Sequence, residues 1–173
     1  MYDLSKYSLV TSNQNKLAEY HSYGLGDLKC VKGDDLAEIE HTDPYLVAAY
    51  KAKDAGPFRI VEDTSLEVDG VAIGTNVKWL LNDLGRYIDK SCEWIVTIAL
   101  NNSEEVVIFE GRVRGTLTNH GYDAQSVFGF NGHFRTESGL TLHELYLKGR
   151  LDDYSARKIA EKQCNTASAY QKV

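Results

Sequence analysis

The sequence predicts an α/β protein of the mixed α+β kind, a single domain over 1–173 in two lobes with helices packed on a mixed β-sheet. Two observations predict it. Strand and helix patterns alternate through the first half, and β-rich runs broken by turn residues dominate the later part. The length of 173 residues and a hydrophobic content of 43% support a sizeable core, and two prolines argue against disorder.

Tyr7 to Val10 reads as the first strand, and it ends at the polar turn Thr11 to Asn15. Asn13 is the N-cap expected for a helix through Leu17, Ala18 and Tyr20 that stops near Gly24. Leu28 to Val31 is a second strand, followed by an acidic loop from Asp34 to His41. Asp43-Pro44 opens a helix with proline at its first position, Tyr45 to Ala55 continues it, and Gly56-Pro57 ends it. Phe58, Ile60 and Val61 begin a short buried strand that runs into two adjacent carboxylates, and Asp69-Gly70 reads as a turn. Val77 to Leu84 reads as a helix closed by Gly85. Trp94 to Leu100 and Val106 to Val113 form a hairpin across Asn101-Asn102-Ser103. Ser126 to Phe130 and His133 to Thr136 flank Asn131-Gly132, the strongest short hairpin signal in the chain. The last helix runs from about Asp153 to Cys164, with Ala156, Ile159, Ala160 and Cys164 on its core face.

The net charge of -6 opposes binding to nucleic acid polymers or anionic membranes, while leaving room for a small anionic substrate where cations cluster or a metal mediates. Cys30, Cys92 and Cys164 are scattered and form no zinc spacing, which fits reduced thiols in a cytosol-like compartment. No stretch approaches membrane-spanning length and the first residues show no signal-peptide pattern, so the expectation is a soluble, cytoplasmic protein.

Two segments carry chemistry. Thr11-Ser12-Asn13-Gln14-Asn15-Lys16 joins a strand to a helix N-terminus, where exposed N–H groups and the helix dipole favour an anion, and Lys16 adds a cation. An ordinary capped helix with a solvated lysine has the same pattern. Val61-Glu62-Asp63-Thr64-Ser65-Leu66-Glu67-Val68 places paired carboxylates at the end of that short strand, where they can hold a hard divalent cation. Adjacent strand residues point to opposite faces, so one of Glu62 and Asp63 faces the pocket, and Asp63 is the better candidate. At Gly121-Tyr122-Asp123 the glycine admits a ligand close to the backbone and the tyrosine offers a face for a base; a plain loop reads the same way. Arg157 sits in the first turn of the last helix, unfavourably for the dipole, and this points to another task unless it is simply at the surface.

In this order the segments resemble the inosine triphosphate pyrophosphatase family. Thr11 to Lys16 looks like the family's T-G-N-x-x-K phosphate loop, with Ser12 in place of its glycine. Asp35-Leu36-Ala37-Glu38 resembles the segment whose glutamate helps hold magnesium, and Val61 to Val68 is similar to the central E/D-D-T/S-x-L-x-V motif. Val77-Lys78-Trp79-Leu80-Leu81 looks like the following helix, and Phe109-Glu110-Gly111 with Gly115 fits a strand pattern F-x-G-x-x-x-G. The C-terminal third departs. His120-Gly121-Tyr122-Asp123-Ala124 stands for F-G-Y/W-D-P, Ser155-Ala156-Arg157 stands for S-H-R, and Lys148 and Arg150 are the nearest substitutes for an upstream lysine.

The resemblance implies a long twisted mixed sheet flanked by helices, a homodimer, and hydrolysis of a nucleoside triphosphate to monophosphate and pyrophosphate. It assigns catalytic roles to Asp63, Lys16 and Glu38, and Mg²⁺ (with Mn²⁺ as an alternative) to Glu38 and Asp63. Thr11, Ser12, Asn13, Lys16, Thr64, Lys78, Gly121, Tyr122, Asp123 and Arg157 would contact the substrate. ITP, dITP and XTP are the implied substrates. Two alternatives stay open: a pyrophosphatase with shifted base specificity, Maf-like or acting on a modified nucleotide, and a catalytically weak nucleotide-binding module.

Overall fold

A computed structural model describes residues 2–33, 36, 41, 43–72, 84–119, 130–166 and 171–172. Strands β1 (Ser8–Val10), β2 (Lys29–Val31) and β3 (Arg59–Val68) interleave with helices α1 (Gln14–Ser22) and α2 (Pro44–Ala55). Then follow β4 (Val71–Ala72), β5 (Ser91–Asn101), β6 (Val106–Leu117), β7 (Phe134–Thr136), α3 (Leu142–Leu147), α4 (Ala156–Thr166) and β8 (Gln171–Lys172). One mixed sheet orders the strands β2-β1-β3-β5-β6-β7, with β4 on β3 and β8 on β6. The α/β class expected from the sequence is the one observed.

The chain forms two compact units. The first comprises Met1–Asp63, Val96–Gly111 and Arg157–Val173. In it β1 lies parallel to both β2 and β3, with Leu9 opposite Cys30 on one side and Ile60 on the other. Asn13 caps α1 as its residue type requires, its side chain accepting the Asn15 N–H. Asp43 does the same for α2 through the Tyr45 N–H, Pro44 begins the helix, and Gly56 ends it at φ +91°, a backbone conformation open to glycine. α2 buries its alanines: Ala48, Ala49 and Ala52 pack against Val10, Val61, Ala99, Val106 and Ile108. Small side chains on that face let the helix approach the strands closely, so their apolar surface is removed from water with few rotamers to freeze.

α4 starts at Ala156, and Asp153 belongs to a preceding 3-10 turn, Leu151–Tyr154. Ala156, Ala160 and Cys164 are buried as expected, but Ile159 is 39% exposed. The buried face turns instead toward Arg157 and Glu161, because Arg157 reaches an acidic partner beneath it.

The second unit comprises Thr64–Ile95 and Arg112–Ala156. β3 turns into β4 at Asp69 (φ +50°) and Gly70 (φ +77°), the two positive values that a tight type I′ hairpin needs, and Val68 pairs with Val71. β7 runs antiparallel to the end of β6. Gly115 faces it there: a Cβ would lie 2.5 Å from the Phe134 ring and 2.6 Å from the Arg135 carbonyl, so only glycine fits. Phe130 to His133 closes as a turn through the His133 N–H and the Phe130 carbonyl. Thus Phe130 is a turn residue where strand was expected, and the rest of that strand, 126–129, lies outside the described residues, as does most of the helix expected at Val77 to Leu84. Helix α3 was not expected from the sequence. Its signal is the capping box, in which Thr141 accepts from the Glu144 N–H and Glu144 accepts from the Thr141 N–H.

Candidate active site

β3 carries Glu62 and Asp63 in succession, and the pleat sends them to different partners. The Glu62 side chain is 1% exposed. Its Oε2 accepts from the Tyr20 hydroxyl at 2.5 Å and from Arg157 Nε at 2.7 Å, and its Oε1 accepts from Arg157 Nη2 at 2.8 Å. Lys16 Nζ lies 3.3 Å from the same Oε1. Arg157 Nη1 donates to Glu19 at 2.6 Å. Burial alone pushes the Glu62 carboxyl up, but the positive charges of Arg157 and Lys16, with hydrogen bonds from Arg157 and Tyr20, outweigh it and hold the group at about 2. Burial, then the Glu62 charge, pushes the Tyr20 phenol well above its ordinary value.

Asp63 has a different environment. Its Oδ1 accepts from Lys51 Nζ of α2 at 2.9 Å, while its Oδ2 is buried with no partner among the described residues. An unsatisfied buried carboxylate oxygen is costly, and a cation or a donor from a ligand would relieve it. This is the observation on which a metal site can be tested, and Asp63 fits as one oxygen ligand. Glu38, the second expected ligand, lies outside the described residues; among those described, no group of three or more His, Cys, Asp and Glu could hold a metal ion.

The turn before α1 is tied together by its own hydrogen bonds. The Thr11 N–H is used by the Val31 carbonyl, that of Asn13 by Thr11 Oγ1, that of Asn15 by Asn13 Oδ1, and that of Lys16 by the Asn13 carbonyl. Among the described residues the N–H groups of Ser12 and Gln14 have no such partner, so two donors remain at a positive helix end. Thr64, next on β3, is partly buried. Lys78, Gly121, Tyr122 and Asp123 lie outside the described residues. A cavity of about 420 Å³ lined by Tyr2, Asp3, Leu28 and Asn165 touches none of the expected site residues.

Of the expected set, therefore, Lys16 and Arg157 converge on one carboxylate, and Asp63 stands on the same strand beside a lysine that sequence reasoning missed. The signal for Lys51 was its position in α2, within the span of buried alanines Ala48 to Ala52. Glu19 and Tyr20 were also missed. They fall three and four residues after Lys16, on one helix face, so a loop that positions Lys16 positions them too.

Around the acidic pair, Lys16, Lys51 and Arg157 are matched by Glu19, Glu62 and Asp63. Among the described residues, the cluster therefore carries no surplus positive charge.

Fold and site define an α/β protein with a capped strand–helix turn beside a buried acidic strand. The chain belongs to the Ham1 family, whose model matches residues 7–167. It is similar to the solved structure of the Staphylococcus aureus Ham1 protein, with a TM-score of 0.68 and 21% identity over 94% of this chain and 97% of that one. It is also similar to a HAM1 protein from Coxiella burnetii, with a TM-score of 0.63 and 22% identity over 94% of this chain and 98% of that one. No curated protein matches. The family is the one the sequence motifs resemble, so the enzyme class is a nucleotide pyrophosphatase. Among the described residues, no helix is long and apolar enough to cross a membrane.

Proposed function

We propose that this chain is a nucleoside triphosphate pyrophosphohydrolase that converts non-standard purine nucleotides such as ITP, dITP and XTP to the monophosphate and pyrophosphate. The observation that carries the reading is the Asp63 carboxylate, with one oxygen salt-bridged to Lys51 and the other buried with no partner among the described residues. Mg²⁺, or Mn²⁺ in its place, would be held by Asp63 and Glu38, and would neutralise charge on the triphosphate that the balanced protein cluster cannot.

Asp63 orients or deprotonates the water that attacks the α-phosphorus. Lys16, Asn13 and the backbone N–H groups of Ser12 and Gln14 take up charge on the departing pyrophosphate. Phosphoryl transfer relies on such positioning and charge neutralisation, so no side-chain nucleophile is needed. Inosine and xanthosine carry an acceptor oxygen where adenosine carries a donor amino group, and backbone donors at Tyr122 and Asp123 would select the former. Lys78, Gly121 and Thr64 complete the proposed substrate contacts, and Arg157 serves the site through Glu62 and Glu19, to which its Nε, Nη1 and Nη2 donate. A homodimer in the cytoplasm, with no nucleic acid polymer or membrane as partner, belongs to the same reading.

The test is a panel of ITP, dITP, XTP, GTP, dUTP and ATP with Mg²⁺, with products separated chromatographically. Monophosphate and pyrophosphate from ITP or XTP support the reading. The same products from another base keep the chemistry and move the specificity. Binding without turnover of any nucleotide makes the chain a nucleotide-binding module and overturns the catalytic roles.

A further inference from the structure

We propose that Glu62 is the positioning residue of this site: its buried carboxylate holds the Lys16 ammonium on the anion loop and ties that loop, through Arg157, to helix α4. The proposal rests on the phosphate-binding role given to Lys16 above.

The geometry supports it in three ways. First, the carboxylate is full. A carboxylate offers about four lone-pair sites, and here Lys16 and Arg157 Nη2 approach Oε1 while Arg157 Nε and Tyr20 approach Oε2. Nothing is left with which Glu62 could ligate a metal or take a proton from water, and its 1% exposure keeps water away.

Second, the contacts are unequal. Arg157 and Tyr20 bind at 2.5 to 2.8 Å, the range of strong charge-assisted bonds, whereas Lys16 stands at 3.3 Å. The fork of Arg157 and the Tyr20 hydroxyl therefore fix the carboxylate, and Lys16 is the contact able to lean toward a phosphate without dismantling the rest. Third, the partners come from separate elements: Lys16 and Tyr20 from α1, Glu62 from β3, and Arg157 from α4. A lysine otherwise loses substantial rotamer freedom when it binds an anion, and a fixed carboxylate beside it removes part of that cost beforehand.

The experiment is a double-mutant cycle on the full chain with ITP and Mg²⁺, reading kcat and KM for E62Q, K16M and E62Q/K16M. E62Q leaves Lys16 unanchored, so kcat is expected to fall about 100-fold while KM stays within about threefold. In the K16M background, E62Q should cost no more than about a further threefold, because its effect has already been removed. Losses that multiply in the double variant overturn the proposal, since Glu62 would then act independently of Lys16.

If E62Q does not fold, E62L/R157M removes both partners of the buried pair, a change that cores often tolerate. It is then compared with and without K16M by the same criterion. If the wild-type chain binds nucleotides without cleaving them, the catalytic reading fails separately, and the cycle is read as calorimetric affinity for inorganic pyrophosphate with Mg²⁺. Non-additive weakening still supports the positioning role, and additive weakening overturns it.

Discussion

Lys51 Nζ stands 2.9 Å from Asp63 Oδ1, a salt bridge between helix α2 and strand β3, while the second Asp63 oxygen is buried with no partner among the described residues. The pairing holds the carboxylate by one oxygen and so constrains the direction of the other. Asp63→Asn keeps an acceptor for Lys51 and nearly the same volume, but removes the charge. Turnover of ITP should fall at least about 100-fold, with the thermal unfolding midpoint close to wild type. Pyrophosphate release and far-UV circular dichroism read both, and a near-normal rate removes Asp63 from the chemistry.

Lys51→Met tests the other half of the pair. The two side chains are 19% and 14% exposed, so the charged hydrogen bond is only partly screened. Leaving Asp63 without it should cost about 2 kcal/mol of stability and lower kcat/KM by about tenfold, by misorienting the carboxylate. Lys51→Arg, which keeps the charge, should recover part of both. Urea unfolding and steady-state kinetics on the same preparations make the comparison, and unchanged kinetics would assign Lys51 to stability alone.

Gly115 gives a prediction about the fold. A Cβ there would press on the Phe134 ring and the Arg135 carbonyl, one of them backbone and unable to move aside. Gly115→Ala should destabilise the chain by about 1–3 kcal/mol. Gly85→Ala, where a Cβ meets nothing within 4 Å and φ is not positive, serves as the near-neutral control. Equal unfolding midpoints for the two variants would contradict the close approach of β7 to β6.

Local chemistry makes much of this fold legible in the amino-acid sequence. The caps at Asn13 and Asp43, the Asp69-Gly70 turn and the long hairpin of β5 and β6 each depend on residues near one another in the chain. The acidic pair is legible as a motif, and strand alternation correctly requires different faces for its two members. The partner of each is not legible. Glu62 meets Arg157, ninety-five residues away, and Lys51 meets Asp63 from another element. The same long-range pairing explains the error at Ile159: hydrophobic spacing places it inward, but the demand of Glu62 for a cation turns Arg157 inward instead.

That buried pair also sets a pH dependence. Glu62 titrates at about 2 in the fold against an ordinary value of 4.5. A carboxyl with a lowered folded value binds fewer protons folded than unfolded, so its stabilisation is complete above the unfolded value and disappears as pH falls through the folded one. The window is therefore pH 4.5 down to 2, and the shift corresponds to about 3 kcal/mol. Unfolding by urea at pH 7, 4 and 3 should show stability declining across that window, with other carboxylates adding to the slope. Arg157→Met leaves Glu62 and Glu19 without their guanidinium, and should cost about 3–5 kcal/mol at neutral pH. It should also flatten the acid slope, because Glu62 then loses its largest reason to stay ionised. A variant as acid-sensitive as the wild type, with its neutral-pH stability intact, would show that Arg157 does not hold Glu62 in solution.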